Sequence, residues 1–163
     1  MTTAAVLTIS DSASQGTRAD ASGPAVRQRL EQLGWSVAAM EVVPDEAAVI
    51  AARIATLADG NQVSAIFTTG GTGLAARDVT PEATRSVIDR EIPGIGELMR
   101  SEGRKSTPMA SLSRGIAGTR GRVLIVNLPG SPSGAVESLD AVIGLAPHIL
   151  DLLGGNTEHA TGA

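Results

Sequence analysis

The feature of this sequence that most limits its fold is a regular alternation of short β-branched runs with longer amphipathic segments. Three of the runs are almost continuously apolar, at residues 4–10 (AAVLTIS), 63–69 (VSAIFTT) and 122–128 (RVLIVNL). Such runs are typical of parallel strands that are covered on both faces. A further strand is predicted at residues 36–43 (SVAAMEVV). Strands that alternate with helices in this way predict an open parallel α/β sheet with right-handed crossovers.

Helical segments are predicted between these strands from apolar spacing and from residues that favour helix ends. Pro24 and Pro81 suit the first helical position, and Thr80 is the predicted N-cap of the helix that follows it. The predicted helices cover residues 24–33, 46–59, 81–90, 94–103 and 133–153, with the last interrupted or kinked at Pro147. The chain of 163 residues fits one domain, predicted at 1–153, and residues 154–163 are expected to fray because they lack a hydrophobic period.

Composition argues against several classes of protein. Aromatic residues make up 1% of the chain and the formal net charge is −4, which disfavours base-stacking nucleic-acid binders. The absence of cysteine excludes disulfides, thiolate zinc sites and cysteine nucleophiles. The sequence has no apolar run of about 18 residues and no basic N-terminal segment, so neither a membrane span nor a signal peptide is expected. We therefore expect a cytoplasmic protein that binds neither nucleic acid nor membrane.

A polar loop follows each of the four predicted strands. The loops are SDSASQG (10–16), VPDE (43–46), TTGGTGLAARD (68–78) and NLPGSPSG (127–134). In open parallel sheets, ligands bind outside the carboxyl ends of the strands. The four loops together therefore predict a binding site at this edge of the sheet.

The glycines of the third loop, GGTG at 70–73, allow several interpretations. No lysine follows them, so a Walker phosphate loop is excluded. Residues 71–76 match a permissive G-x-G-x-x-A dinucleotide fingerprint, and Glu91 lies twenty residues beyond its first glycine. That fingerprint expects a helix to begin within the glycines, whereas the predicted helix begins at Pro81. A plain glycine-rich turn and a surface for close approach of a ligand both remain open.

Three carboxylates follow predicted strand ends. The simplest interpretation of Asp45, which precedes a helix, is an N-cap. Asp78 is expected to project into the cleft, because Thr80 already supplies the cap of the next helix. Asp45 and Asp78, expected at neighbouring strand ends, suit Mg²⁺ held by hard oxygen ligands and substrate phosphates, as phosphoryl or nucleotidyl transfer requires. Asp11 either joins this site or stabilises the serine-rich turn through an Asx hydrogen bond.

Cations and hydroxyl groups near the loops are sparse. Arg77 and Arg114 are candidate partners for an anionic substrate, although arginine at such positions is more often a solvated surface charge. Ser111 and Ser113 are candidate donors to a phosphate or pterin, with an ordinary loop role equally open. The two histidines of the chain are scattered, which argues against a histidine triad or a zinc site.

Taken in order, the loop motifs resemble those of the molybdopterin adenylyltransferases of molybdenum cofactor synthesis, of the MogA and MoaB type. The resemblance is carried by TISDSASQG, DASGP, VVPDE, TTGGTGLAARDVTPEAT, SLSRG and NLPGSPSGAVESL, in register from about residue 5 to about residue 153. Its most specific part is the glycine loop followed by Arg-Asp and Thr-Pro. A related domain of the molybdate-insertion enzymes has a similar fold but lacks this combination.

The resemblance implies a three-layer α/β domain of the MogA type with a mostly parallel sheet, usually a homotrimer, that contacts the molybdate-insertion enzyme transiently. It implies binding of Mg-ATP and molybdopterin, transfer of AMP to the terminal phosphate of molybdopterin, and release of pyrophosphate. By matching position, Asp45 and Asp78 are the catalytically important carboxylates. The substrate- and nucleotide-binding residues implied in the same way are Ser10, Asp11, Gly70, Gly71, Thr72, Gly73, Ser111, Ser113, Arg114, Asn127, Pro129, Gly130 and Ser131.

Three other functions stay open at this point. A non-catalytic molybdopterin-binding or carrier protein of the MoaB type would hold the pterin without releasing pyrophosphate from ATP. The G-x-G-x-x-A match suggests a nicotinamide- or flavin-dinucleotide oxidoreductase. A scaffold without a ligand is the third alternative, but it would leave the four polar loops unexplained.

Overall fold

A mixed sheet organises the fold of the chain, whose computed structural model describes residues 2–158. The strands are β1 (Thr3–Ile9), β2 (Ser36–Val43), β3 (Ala65–Thr69), β4 (Arg90–Glu91), β5 (Ala117–Arg120) and β6 (Val123–Leu128). Their order across the sheet is β2-β1-β3-β6-β5-β4. The first four in this order are parallel, whereas β5 and β4 pair antiparallel. The prediction of a wholly parallel sheet is therefore wrong at one edge, and a mostly parallel sheet is correct.

All four predicted strands are present to within two residues at each end. The strands that the sequence did not reveal are β4, which is two residues long, and β5, whose sequence is AGTR. Neither has a β-branched run. Both become strands through pairing: β5 and β6 form an antiparallel hairpin around the turn at residues 121–122, and β4 pairs with β5.

Seven helices within the described residues flank the sheet, and they differ in extent from two of the predicted helices. They are α1 (Asp11–Ser14), α2 (Ser22–Gln32), α3 (Ala47–Asp59), α4 (Thr80–Arg85), α5 (Pro93–Gly103), α6 (Pro132–Val142) and α7 (Ala146–Leu153), with 3-10 turns at Pro108–Leu112 and Ile143–Leu145. The predicted helix at 81–90 stops at Arg85 because the chain turns there toward β4. The break in the last predicted helix lies at Ile143–Leu145, and Pro147 sits in the first turn of α7, where a missing N–H is harmless.

The prediction that Thr80 caps α4 through its side chain is wrong. Val79 occupies the N-cap position without a side-chain cap, and Thr80 is already helical. The buried hydroxyl of Thr80 instead donates to the carbonyl oxygen of Gly70 at 2.9 Å. This bond fastens the start of α4 to the glycine loop.

Two apolar cores, one on each face of the sheet, produce the three layers. Because successive side chains of a strand point to opposite faces, Val6 and Phe67 pack against α2, α5 and α6, whereas Leu7 and Ile66 pack against α3 and α4. Burial on both faces explains why the central strands are almost continuously apolar.

The C-terminal tail was predicted at 154–163, and its last five residues, 159–163, lie outside the described residues. No helix within residues 2–158 is both long and apolar enough to cross a bilayer.

Candidate active site

The candidate site lies at the edge of the sheet where β1 and β3 end. β1 pairs with β2 on one side and with β3 on the other. Crossovers from β1 and β3 therefore leave the sheet in different directions, and such a topological switch point opens a crevice at the carboxyl ends of the strands. Ser10, directly after β1, caps α1 by accepting a hydrogen bond from the Ala13 N–H. The loop after β3 supplies the glycines.

Packing demands glycine at the first two positions of the glycine loop (70–73). Gly70 and Gly71 have φ angles of +104° and +68°, which other residues rarely adopt. A Cβ atom at Gly70 would overlap the Ile9 carbonyl oxygen, and one at Gly71 would overlap the Thr80 hydroxyl and lie 3.2 Å from Asp45 Oδ1. The glycines therefore bring this loop against β1, α4 and a carboxylate at once.

Arg114 fixes the glycine loop through hydrogen bonds to its backbone carbonyls. Its backbone N–H donates to the Thr72 carbonyl, and its side-chain Nε donates to the Gly73 carbonyl, both at 2.8 Å. Its Nη2 donates to the carbonyl of Asp78 at 2.8 Å, and its Nη1 is paired with Glu82. All three guanidinium nitrogens are thus committed to the loop and to α4, so Arg114 positions the site.

Asp11 and Asp45 are joined through their backbones. The Asp11 N–H donates to Asp45 Oδ2 at 2.8 Å, and the Asp45 N–H donates to Asp11 Oδ1 at 3.0 Å. Arg77 adds a two-pronged ion pair to Asp11, with N–O distances of 2.6 and 3.0 Å. The N-cap of α3 is Glu46, so Asp45 is not the helix cap that the sequence suggested.

The two linked aspartates have opposite electrostatic environments. The Arg77 guanidinium lowers the pKa of the Asp11 carboxyl, with help from the Asp45 backbone N–H. Burial raises the pKa of Asp45, and the charges of Asp11 and Asp78 raise it further. Of these two carboxylates, Asp45 is therefore the one whose charge the chain compensates less well, which is a property expected of a group that binds a cation.

Asp45 and Asp78 reach one cavity even though their strands are not neighbours. They follow β2 and β3, and β1 lies between those strands, so the prediction of neighbouring strand ends is wrong. Both line a polar cavity of about 260 Å³ that also includes Thr8, Ser10, Arg18, Asp20 and Gly70. The two side chains converge because the Asp11–Asp45 bonds draw the loop after β2 across the end of β1.

The carboxylate oxygens of this polar cavity are suitable ligands for an Mg²⁺ ion that is also coordinated by substrate. Asp78 Oδ2 accepts the Ala75 N–H at 3.0 Å, and Asp45 Oδ2 accepts that of Asp11. The second oxygen of each carboxylate has no hydrogen-bond partner within residues 2–158. In the same part of the chain no three acidic, histidine or cysteine side chains form a metal-binding group. An ion held here would take its other ligands from phosphates and water, as Mg²⁺ commonly does.

A second cavity, of about 420 Å³, adjoins the polar one and is largely apolar. Met99, Met109 and Leu112 line it, together with the glycine loop and the loop after β6. The two cavities share Gly71, Asp78 and Gly130. Two ligands of different polarity can therefore meet beside Asp78.

Most of the residues implied by the resemblance line one of these cavities. The polar cavity includes Ser10, Asp45, Gly70, Gly71, Asp78 and Gly130. The apolar cavity includes Gly71, Thr72, Gly73, Asp78, Ser113, Asn127, Pro129, Gly130 and Ser131. Asp11, Ser111 and Arg114 line neither. The side chain of Asn127 is buried, and its Nδ2 donates to the hydroxyls of Thr68 and Thr84, so it serves mainly to join β6, β3 and α4.

Sequence reasoning missed two arginines that line the cavities, Arg18 in the polar one and Arg100 in the apolar one. Arg18 precedes the DASGP motif, which gave a weak positional signal. Arg100 follows Met99 on α5, and an isolated arginine on an amphipathic helix carries no signal of a site.

The sequence and the fold have known relatives. Residues 5–149 match the family described as "Probable molybdopterin binding domain". The chain belongs to this family. A protein named molybdopterin adenylyltransferase from Helicobacter pylori strain J99 is 44% identical over 153 residues, which cover 93% of this chain and 87% of that protein. The protein of the same name from Escherichia coli K12 is 42% identical over 84% of this chain and 71% of its own length.

A solved structure from molybdopterin biosynthesis is similar to this one in sequence and in fold. The molybdopterin biosynthesis enzyme MoaB from Thermus thermophilus is 52% identical, with a TM-score of 0.89 over 95% of this chain and 98% of that one. The predicted MogA-like three-layer α/β fold is thereby confirmed for this member of the molybdopterin-binding domain family.

Proposed function

We propose that this chain catalyses Mg²⁺-dependent transfer of AMP from ATP to molybdopterin, releasing pyrophosphate and forming adenylyl-molybdopterin. The observation that carries the proposal is the meeting of a polar and an apolar cavity at Asp78, within a family whose relatives are named molybdopterin adenylyltransferases. A transfer between two bound substrates needs such a junction, since the reacting atoms must come within bonding reach.

The two cavities differ in the ligand that they suit. Arg18 and Ser10 offer a cation and a hydroxyl in the polar cavity, which suits a triphosphate. Met99, Met109 and Leu112 offer apolar and polarisable surface in the other cavity, which suits the flat ring system of a pterin. We therefore assign ATP to the polar cavity and molybdopterin to the apolar one.

Asp45 and Asp78 would hold the metal through the carboxylate oxygens that accept no hydrogen bond within residues 2–158. When bound, Mg²⁺ neutralises charge on the transferring phosphates. The chain prepares its own part of this arrangement through Arg77, which neutralises Asp11, and Arg114, which fixes the backbone at Gly73 and at Asp78.

The transfer step itself needs no general base from the protein. A phosphate monoester has a second pKa of about 6, so the acceptor phosphate is mainly a dianion at neutral pH. One of its oxygens forms a bond to the α-phosphorus of ATP, while the bond from that phosphorus to the bridging oxygen of the β-phosphate breaks and pyrophosphate leaves. The glycine loop contributes by letting both substrates approach its backbone closely. No histidine among residues 2–158 lines either cavity, as expected for a transfer that needs no general base.

The test combines purified protein with molybdopterin, ATP and Mg²⁺ and follows pyrophosphate and adenylyl-molybdopterin together. We expect the two products to appear in equal amounts and only when all three components are present. Pyrophosphate without the adenylylated pterin, or neither product, would contradict the proposal. Failure of NADH fluorescence to change on titration would remove the dinucleotide alternative.

A non-catalytic molybdopterin-binding protein is the second candidate, favoured by the apolar cavity taken alone. It predicts tight binding of molybdopterin and no pyrophosphate with ATP and Mg²⁺. The carboxylate pair in the polar cavity is the observation against it, because pterin binding gives no reason for an undercompensated Asp45.

Three properties that follow from the resemblance belong to the same proposal. They are a homotrimer, a transient contact with the molybdate-insertion enzyme, and a cytoplasmic location. Light scattering on the purified protein tests the first, and cross-linking with the purified insertion enzyme tests the second. Fractionation of cells that produce the protein tests the third.

A further inference from the structure

Arg100 differs from every other arginine without a carboxylate partner in the described part of the chain. Within residues 2–158 the ion pairs leave five arginines without such a partner. Four of them are exposed: Arg18, Arg90, Arg104 and Arg122. Arg100 is half-buried in the wall of the apolar cavity. A guanidinium is always charged, and its withdrawal from water costs free energy unless an acceptor compensates it.

The chain satisfies only part of the Arg100 guanidinium. Nη1 donates to the carbonyl oxygens of Gly115 at 2.9 Å and Ser113 at 3.3 Å. Nε and Nη2 have no acceptor among residues 2–158. Two carboxylates line the same cavity, and neither pairs with Arg100: Glu137 accepts from the Ser106 hydroxyl at 2.6 Å, and Asp78 accepts from the Ala75 N–H at 3.0 Å. The side chain is thus anchored at one nitrogen and has donors to spare.

The absence of a side chain at Gly96 leaves room for the Arg100 guanidinium. Side chains on a helix lean toward its N-terminus, so Arg100 lies over the residue four positions earlier. A Cβ atom at Gly96 would lie 2.9 Å from Arg100 Nη2 and 3.0 Å from the Gly115 carbonyl oxygen. Glycine inside a helix costs about 1 kcal/mol relative to alanine, and here that cost makes room for the arginine.

We propose that Arg100 binds an anionic group of the pterin substrate in the apolar cavity and so determines the affinity and orientation of that substrate. The inference rests on the proposed function for the identity of the ligand. Molybdopterin carries two kinds of anion, the terminal phosphate and the ene-dithiolate. The reacting phosphate belongs at the junction formed by Gly71, Asp78 and Gly130, and Arg100 is not among the residues that the two cavities share. Its position therefore favours the dithiolate.

Equilibrium binding without ATP tests the role of Arg100 directly. Anaerobic titrations compare wild type, Arg100→Gln and Arg100→Lys with molybdopterin, with its dephosphorylated form, and with its oxidised form that has lost both sulfurs. The matched control is Arg104→Gln, an exposed arginine one helical turn further on that lines neither cavity. We expect Arg100→Gln to raise the Kd of molybdopterin at least about tenfold, as loss of charge-assisted hydrogen bonds does. Arg100→Lys should fall between, and Arg104→Gln should match wild type.

The comparison of ligands separates anion binding from a structural role. Removing the anion that Arg100 binds should weaken binding to wild type but cause little further loss in Arg100→Gln, and this coupling identifies the anion as sulfur or phosphate. Equal loss of affinity for all three ligands, or a wild-type Kd in Arg100→Gln, would overturn the proposal. If wild type binds molybdopterin but releases no pyrophosphate from ATP, the proposed function fails while the titrations still decide the role of Arg100.

Discussion

Asp11 and Asp45, which are 34 residues apart, exchange hydrogen bonds in which the backbone N–H of each donates to the carboxylate of the other. The exchange fixes the loop after β2 to the loop after β1 and consumes one oxygen of Asp45. Arg77 forms its ion pair with Asp11. The result is a candidate site in which Asp45 and Asp78 line one cavity.

Asp78→Asn should retain the fold and lower turnover by at least about 100-fold, because a misplaced metal misaligns the reacting groups. Circular dichroism checks the fold, and pyrophosphate release under saturating Mg-ATP checks turnover. Asp151→Asn, the same chemical change at an exposed position on α7, is the control and should leave the rate unchanged. A wild-type rate for Asp78→Asn would show that the carboxylate has no part in the reaction.

Asp45→Asn should abolish most turnover and yet raise Tm at neutral pH without divalent cations. Burial raises the pKa of Asp45 in the folded state. The protonated carboxyl therefore contributes fully to the free energy of unfolding below the ordinary aspartate pKa of about 4, and this contribution is lost as pH rises through the folded-state pKa. Asparagine stays neutral and can still accept the Asp11 N–H. Because Asp45 is partly exposed, the gain should not exceed about 4 °C and should shrink toward pH 3. A lower Tm for the variant at pH 7, measured by calorimetry, would contradict this.

Arg77→Gln should reduce turnover about tenfold, because Arg77 holds Asp11, which in turn positions the metal-binding Asp45. Its effect on Tm should stay within about 2 °C, because the guanidinium is 58% exposed. Arg27→Gln removes a similarly exposed ion pair, with Glu31 on α2, and should alter neither quantity. Equal rates for the two variants would remove Arg77 from the machinery of the site.

Gly71→Ala should destabilise the protein more than Gly34→Ala does. Both glycines have positive φ, +68° and +85°, so both substitutions carry a backbone cost of about 1–2 kcal/mol. A Cβ atom at Gly34 would have no heavy atom of residues 2–158 within 4 Å apart from those of its chain neighbours, whereas one at Gly71 meets the Thr80 hydroxyl and Asp45. Overpacking of this kind adds about 1–3 kcal/mol to the loss of stability. Denaturant unfolding of the two variants measures this difference in the free energy of unfolding directly. Equal losses would mean that the loop yields without strain.

Glu82→Gln should lower stability at pH 7 by less than about 1 kcal/mol, since the Glu82 side chain is 51% exposed. Its hydrogen bond with Arg114 lowers the pKa of Glu82, so the contribution is present above the ordinary glutamate pKa of about 4.3 and is lost as pH falls through the folded value. Wild type and variant should therefore converge in acid. The control Glu97→Gln, at an exposed position on α5, should show no difference at any pH. A difference in the free energy of unfolding between Glu82→Gln and wild type that persists at pH 3 would show that the ionised Glu82 carboxylate is not its cause.

Much of the site was predictable because its chemistry is local in the chain. The glycine loop, the loop after β6 and Ser10 all line the cavities, as the motifs indicated. The arguments about individual residues were less reliable. Thr80 does not cap its helix, yet Asp78 still reaches the cleft, for the different reason that Arg114 and the Ala75 N–H hold its backbone and side chain.

By itself, the sequence determined the central strands, the helices between them and the edge of the sheet at which the candidate site lies. Those properties follow from burial on one or two faces, which repeats every two or 3.6 residues and is visible in a short window. Tertiary structure alone decided that β1 lies between β2 and β3, and that Arg77 meets Asp11 across 66 positions of the chain. It also decided that Arg100 lies half-buried in a cavity wall. Such contacts depend on strand order and loop path, and local periodicity does not encode either of them.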